Sequence, residues 1–93
     1  MRQRPREANA HLSLASTLKS RNELAGAIRE FEEAIRLQPD LAQAHYDLAV
    51  TLEAAGQTER ARQEYRLYLQ LSPAAPDAAQ VRAHLKKLGA SAE

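Results

Sequence analysis

The 93-residue sequence predicts an all-α fold made of two similar helix pairs and one final helix. Three observations lead to this prediction. The chain repeats its pattern at an offset of 34 positions, as with His11 and His45, and its apolar residues recur at helical spacing. It also contains only three glycines and four prolines, so most of it is free of residues that interrupt helices.

The internal repeat includes packing residues and turn residues. Four matched pairs carry side chains suited to a helix interface: Leu14 with Leu48, Ala27 with Ala61, Phe31 with Tyr65, and Leu37 with Leu71. Asn22 matches Gly56, and these two residue types most readily adopt the left-handed backbone that helix ends often require. One helix pair cannot bury its apolar face alone, so the sequence predicts that the two pairs stack.

The first unit is predicted to contain helices at about residues 6–20 and 23–37. The second of these helices carries an apolar stripe formed by Ala27, Phe31, Ala34 and Ile35. On its polar side, we expect Glu32 and Arg36 to form an ion pair at i, i+4 spacing.

The second unit is predicted to contain helices at about residues 41–55 and 58–71. Asp40 is a favourable N-cap for the first of them, and Gln43 three positions later completes a capping-box pattern. Thr58 is expected to cap the second helix. The apolar stripe of that helix consists of Ala61, Tyr65, Tyr68 and Leu69.

The last helix is predicted at about residues 76–88. Pro76 suits its first position, where a missing N–H group is tolerated, and Asp77 would lie at the positive end of the helix dipole. Its inner stripe comprises Ala78, Val81, Leu85 and Leu88. Residues 89–93 are expected to form a flexible tail.

Together, these features resemble the tetratricopeptide repeat (TPR) family. The motif residues are Leu14, Ala15, Ala27, Phe31, Ala34 and Pro39 in the first repeat, and Leu48, Ala49, Gly56, Ala61, Tyr65 and Pro73 in the second. The sequence departs from the family pattern at His11 and His45, where the family favours Trp, and at Tyr68, where Ala is usual. The resemblance implies a right-handed α-solenoid of antiparallel helix pairs, two TPR units and a capping helix.

The resemblance also implies a single TPR domain over residues 1–93. Repeat 1 would cover about 8–41, repeat 2 about 42–75 and the capping helix about 76–88. Two repeats are few for a solenoid, and the first helix would have an uncovered side. Two alternatives therefore stay open: a fragment of a longer TPR array, or a self-associating scaffold that forms a homo-oligomer, with helix exchange as one route.

In TPR proteins the first helix of each repeat lines a concave groove. Carried over by position, the resemblance implies a groove formed by Asn9, Leu12, Ser13, Ser16, Lys19, Gln43, Tyr46, Asp47, Val50 and Glu53. Asn, Gln and Tyr can hydrogen-bond to a peptide backbone, while Leu and Val receive apolar side chains. The predicted function is therefore a protein–protein interaction module that binds a peptide or protein segment.

One subclass of TPR domains is disfavoured. Domains that hold the carboxyl terminus of heat-shock chaperones use a Lys and an Asn in one repeat and an Asn in the next. The matching positions are Leu12, Ser16 and Asp47, and an acid at Asp47 would repel a carboxylate.

Composition and motifs argue against other function classes. A net charge of +1 gives no global attraction to nucleic acid, and no apolar run approaches the roughly 18 residues of a membrane span. The first residues lack the apolar core of a signal peptide, so the sequence assigns no compartment beyond a cytoplasmic default. We predict no cofactor, metal ligand or catalytic residue, because no motifs converge on a reactive site and no cysteine is present.

Overall fold

The computed structural model describes residues 5–92, which form five α-helices and no β-strand. The helices are α1 (Pro5–Ser20), α2 (Leu24–Leu37), α3 (Ala42–Ala54), α4 (Thr58–Leu71) and α5 (Ala78–Ala92). Turns of three residues join α1 to α2 and α3 to α4, so each of these pairs is antiparallel. The predicted all-α architecture of two helix pairs and a final helix is confirmed.

The turn inside each helix pair has the predicted left-handed residue. Asn22 has a φ angle of 61° and Gly56 has a φ angle of 83°. The residue after each of them donates its N–H to a helix carbonyl, as from Gln57 to Leu52 at 2.8 Å. This bond satisfies a carbonyl group that would otherwise have no partner at the helix end.

The side-chain caps predicted for α3 and α4 are wrong. Leu41 is the N-cap of α3, and no side chain caps that helix. Asp40 lies one position too early, so its carboxylate is not at the position from which an N-cap side chain reaches the first-turn amides. Gln43 instead donates its amide N–H to Asp47 at 3.0 Å, and Thr58 is the first residue of α4 rather than its cap.

Helix α5 differs from the prediction at both ends. It begins at Ala78, so Pro76 and Asp77 precede the helix rather than opening it. The reason is tertiary, because the Asp77 carboxylate accepts a hydrogen bond from the hydroxyl of Tyr68 at 2.6 Å. At its other end, α5 includes residues 89–92, where a flexible tail was expected. The last residue of the chain lies outside the described part.

The core lies within and between the helix pairs and is formed by the predicted stripes. Residues no more than 6% exposed include Ala27, Phe31, Ala34, Ala61, Tyr65, Tyr68, Ala78 and Val81. Ile35, Leu69, Leu85 and Leu88 pack against this core while partly exposed. Because α2 packs against α3 and α4 packs against α5, the repeats and the final helix stack in chain order.

The expected ion pair between Glu32 and Arg36 does not form. The guanidinium of Arg36 bonds to Glu33, with Nε 3.0 Å from Oε1. Glu32 instead pairs with Arg60 of α4. Positions three apart on a helix are also neighbours, and stacking of the repeats brings Arg60 within reach of Glu32.

Candidate functional site

The ten predicted groove residues lie on α1 and α3, and each retains contact with solvent. Those exposed are Asn9, Ser13, Ser16 and Gln43, and those partly exposed are Leu12, Lys19, Tyr46, Asp47, Val50 and Glu53. On the opposite side of the same helices, Ala15, Leu48 and Ala49 are at most 2% exposed. We call the surface formed by the ten residues the α1/α3 face.

Asp47 has the most unusual electrostatic environment on the α1/α3 face. Partial burial raises the pKa of its carboxyl group above the ordinary value. The hydrogen bond from Gln43 and the positive charge of Lys19 act in the opposite direction. Lys19 belongs to α1, so its charge reaches Asp47 from another helix.

Three tyrosines and a histidine form an aromatic cluster that includes Tyr46 of the α1/α3 face. The ring centroid of Tyr46 lies 5.8 Å from that of Tyr65 and 5.2 Å from that of Tyr68. The ring of His84 in α5 meets Tyr65 edge-on, with centroids 5.3 Å apart. Such tilted contacts bring ring edges toward ring faces and fix the positions of the rings.

Two carboxylates hold the outer ends of this cluster. Glu53 Oε1 accepts a hydrogen bond from the hydroxyl of Tyr65 at 3.0 Å and lies 2.8 Å from Nε2 of His84. Burial is the largest cause that raises the pKa of Tyr65, and this hydrogen bond is the second largest. The bond to Asp77 raises the pKa of Tyr68 to about 12, so both phenols remain proton donors at neutral pH.

A cavity of about 250 Å³ lies among α3, α4 and α5. Its lining residues are Tyr46, Tyr65, Asp77, Gln80, Val81 and His84. A second hollow of about 330 Å³, lined by Val50, Glu53, Ala54 and His84, adjoins it through the shared His84. We call the two together the α3/α5 groove, which continues the α1/α3 face toward the C-terminal helix.

Comparison with known families agrees with this architecture. A family model described as Tetratricopeptide repeat matches residues 12–76, more than half of the chain. The chain belongs to the tetratricopeptide repeat family. TPR proteins generally mediate protein–protein interactions and are typically not catalytic.

A search of curated proteins finds no match to this chain. Among its described residues, no helix has the length and apolar character of a membrane span.

Sequence reasoning missed the residues of α5 that line the cavity in this TPR domain. Asp77, Gln80 and His84 line the cavity, although the predicted groove included only α1 and α3. A signal was present, because Gln80 and His84 are four positions apart and therefore share one side of a helix. Which side faces α3 depends on how α5 packs, and that packing is a property of the folded chain.

The two histidines at the positions where TPR proteins favour Trp make equivalent bonds in both repeats. Nδ1 of His11 lies 2.6 Å from Oε1 of Glu30, and Nδ1 of His45 lies 2.6 Å from Oε1 of Glu64. Nε2 of His45 also bonds to the carbonyl oxygen of Pro39 at 3.0 Å. Each histidine thus contacts a glutamate of its own repeat, and residues 5–92 contain no group of three or more ligands arranged for a metal ion.

Proposed function

We propose that this TPR domain binds an extended segment of a protein partner along the α1/α3 face and the α3/α5 groove. The observation that carries the proposal is the composition of the groove, where partly exposed Tyr46 and Val50 lie beside the carboxylates of Asp47 and Glu53. An extended peptide requires both kinds of contact, since its backbone forms hydrogen bonds and its alternate side chains enter apolar pockets.

The groove side chains are also held in place before any ligand binds. Gln43 bonds to Asp47, and Tyr65 bonds to Glu53. Ordered side chains lose less conformational entropy on binding, so the same contacts produce a higher affinity. This preorganisation supports a recognition surface over a merely solvated one.

A selection from random peptides tests the proposal. The longest dimension of the molecule is 38 Å, and an extended chain spans about 3.4 Å per residue, so peptides of about ten residues match its length. Ser16→Arg introduces a bulky charge on the exposed part of the α1/α3 face. Gln70→Arg introduces the same side chain on the exposed surface of α4 and is the matched control.

We expect selected peptides to bind the wild-type chain and the Gln70→Arg variant alike, and to lose about tenfold or more of their affinity for Ser16→Arg. Equal affinity for all three proteins would place the peptides elsewhere and contradict the proposal. Recovery of no binding peptide from the selection would contradict it as well.

Self-association is a second candidate function, favoured by one comparison between the repeats. Leu14 is 46% exposed, whereas its repeat equivalent Leu48 is 2% exposed because α2 packs over α3. A second copy of this chain would bury Leu14 as repeat 1 buries Leu48. Light scattering over a tenfold concentration range tests this: a dimer mass that reverts to monomer in Leu14→Lys supports it, and a monomer at every concentration rules it out.

A further inference from the structure

The cavity among α3, α4 and α5 combines aromatic walls with negative charge. We propose that it binds an arginine side chain of the partner segment. The inference rests on the function proposed above and adds the chemistry of one ligand residue. Two features of the cavity carry it: its rings and its carboxylates.

The rings of Tyr46 and Tyr65 form adjoining walls of the cavity. Their planes meet at 73°, and their centroids are 5.8 Å apart. The face of an aromatic ring carries partial negative charge and attracts a cation. A guanidinium group is planar and weakly hydrated, so it stacks on such a face more readily than an ammonium group does.

The carboxylates of Asp77 and Glu53 lie beside these walls, Asp77 in the cavity and Glu53 in the adjoining hollow. Tyr68 bonds to Oδ1 of Asp77, while Tyr65 and His84 bond to Oε1 of Glu53. Each carboxylate also has a second oxygen that can accept hydrogen bonds. These oxygens are acceptors for the N–H groups of a guanidinium, which form strong charge-assisted bonds.

The cavity disfavours other occupants. An acidic side chain would be repelled by Asp77, and an apolar one would separate Asp77 and Gln80 from water without replacing their hydrogen bonds. A lysine would satisfy the charge but not the planar stacking. Arginine satisfies both requirements at once.

A single-residue probe tests the cavity directly. Resonances of Gln80, Val81 and His84 are followed by NMR during titration of the full chain with N-acetyl-arginine amide. The matched probe is N-acetyl-citrulline amide, which has a similar shape and no charge. The titration is made at about pH 8, where the guanidinium of the arginine probe is charged.

We expect the arginine probe to shift these resonances in a saturable manner and the citrulline probe to bind at least about tenfold more weakly. Asp77→Asn should weaken arginine binding by a similar factor while its amide oxygen still accepts the bond from Tyr68. Glu53→Gln retains an acceptor for Tyr65 and removes the negative charge, so it should also weaken arginine binding. Asp40→Asn, the same substitution in the α2–α3 turn, should leave binding unchanged.

Equal shifts from the arginine and citrulline probes, or no shift from arginine at these residues, would overturn the inference. The selected peptides separate this failure from failure of the proposed function. Peptides that bind the α1/α3 face but tolerate exchange of arginine for citrulline refute the arginine site alone. Absence of any binding peptide refutes the proposed function, whatever the arginine probe shows.

Discussion

At the scale of single residues, His45 shows how this chain replaces a large aromatic side chain. His45 is 5% exposed, and both nitrogens of its imidazole have a partner. The carbonyl oxygen of Pro39 has no hydrogen, so Nε2 must carry one. Nδ1 lies 2.6 Å from Oε1 of Glu64, so a protonated imidazole can bond to both partners at once.

The protonation of His45 should make the stability of the fold depend on pH. The hydrogen bond to Glu64 is the largest cause that raises the pKa of His45 above its ordinary value of 6.5. A raised pKa means that folding favours the protonated form, so the stabilisation is complete below pH 6.5 and is lost as pH rises through the folded-state pKa.

We therefore expect the free energy of unfolding of the wild type, relative to His45→Gln, to fall as pH rises above about 6.5. Urea unfolding at a series of pH values measures this difference. Glu64→Gln is the control, because removal of the carboxylate should remove the same pH dependence. A difference between wild type and His45→Gln that is constant with pH would refute the prediction.

At the scale of helices, the fold depends on close approach within each pair and on the turn that joins its members. Ala27 and Ala61 are both 0% exposed and occupy equivalent positions in α2 and α4. A small side chain allows two helix axes to approach closely. The left-handed turn residues Asn22 and Gly56 reverse the chain so that this approach occurs.

Enlargement of Ala27 should destabilise the fold because this residue is 0% exposed in the core. For Ala27→Leu, we expect a loss of about 1–3 kcal/mol in the free energy of unfolding. Ala25→Leu in the same helix is the matched control, and its exposed site should keep the change within about 0.5 kcal/mol. Equal effects in thermal or urea unfolding would show that Ala27 is not at a tight contact.

Two glycines should respond to alanine in opposite directions. Gly56 has a positive φ angle, and a Cβ added there would meet open space. Gly56→Ala should therefore lower the free energy of unfolding by about 1–2 kcal/mol through backbone strain alone. Gly89 lies within α5, and a Cβ there would be an ordinary 3.5 Å from Arg62. Gly89→Ala should therefore stabilise the fold by up to about 1 kcal/mol.

The Gly89→Ala variant also tests the end of α5. If residues 89–92 are helical in solution, Gly89→Ala raises the free energy of unfolding and the helical content measured by circular dichroism. An unchanged spectrum and stability would favour the flexible tail expected from the sequence.

At the scale of the whole molecule, the two repeats differ because they occupy different places in the stack. Leu14 and Leu48 are equivalent in sequence, yet only Leu48 lies between two repeats. The same is true of Thr17, which is exposed, and Thr51, which is 0% exposed. The environment of a repeat residue is therefore set by its neighbours along the stack.

This asymmetry predicts different effects from one substitution. Leu48→Ala should lower the free energy of unfolding by about 2–5 kcal/mol, because it leaves a cavity between repeats. Leu14→Ala should lower it by less than about 1 kcal/mol in the monomer. Urea unfolding of both variants measures the contrast. Equal losses would mean that the outer side of α1 is covered in solution, as a second copy of the chain would cover it.

The sequence by itself determined the features that depend on local spacing and backbone chemistry. Helical stripes, the 34-residue offset and the left-handed turns follow from side chains a few positions apart, and these predictions are confirmed. The family resemblance followed from the same spacing. Predicted side-chain caps failed, because a shift of one residue moves a cap beyond the amides that it would bond.

Only the tertiary structure decided which distant polar groups meet. Tyr68 bonds to Asp77 and Glu32 pairs with Arg60, although neither pair has a signal in local spacing. The cavity beside His84 likewise forms only where α3, α4 and α5 converge. Such contacts depend on the rotation and separation of helices, which the packing of the whole core determines and no short stretch of sequence encodes.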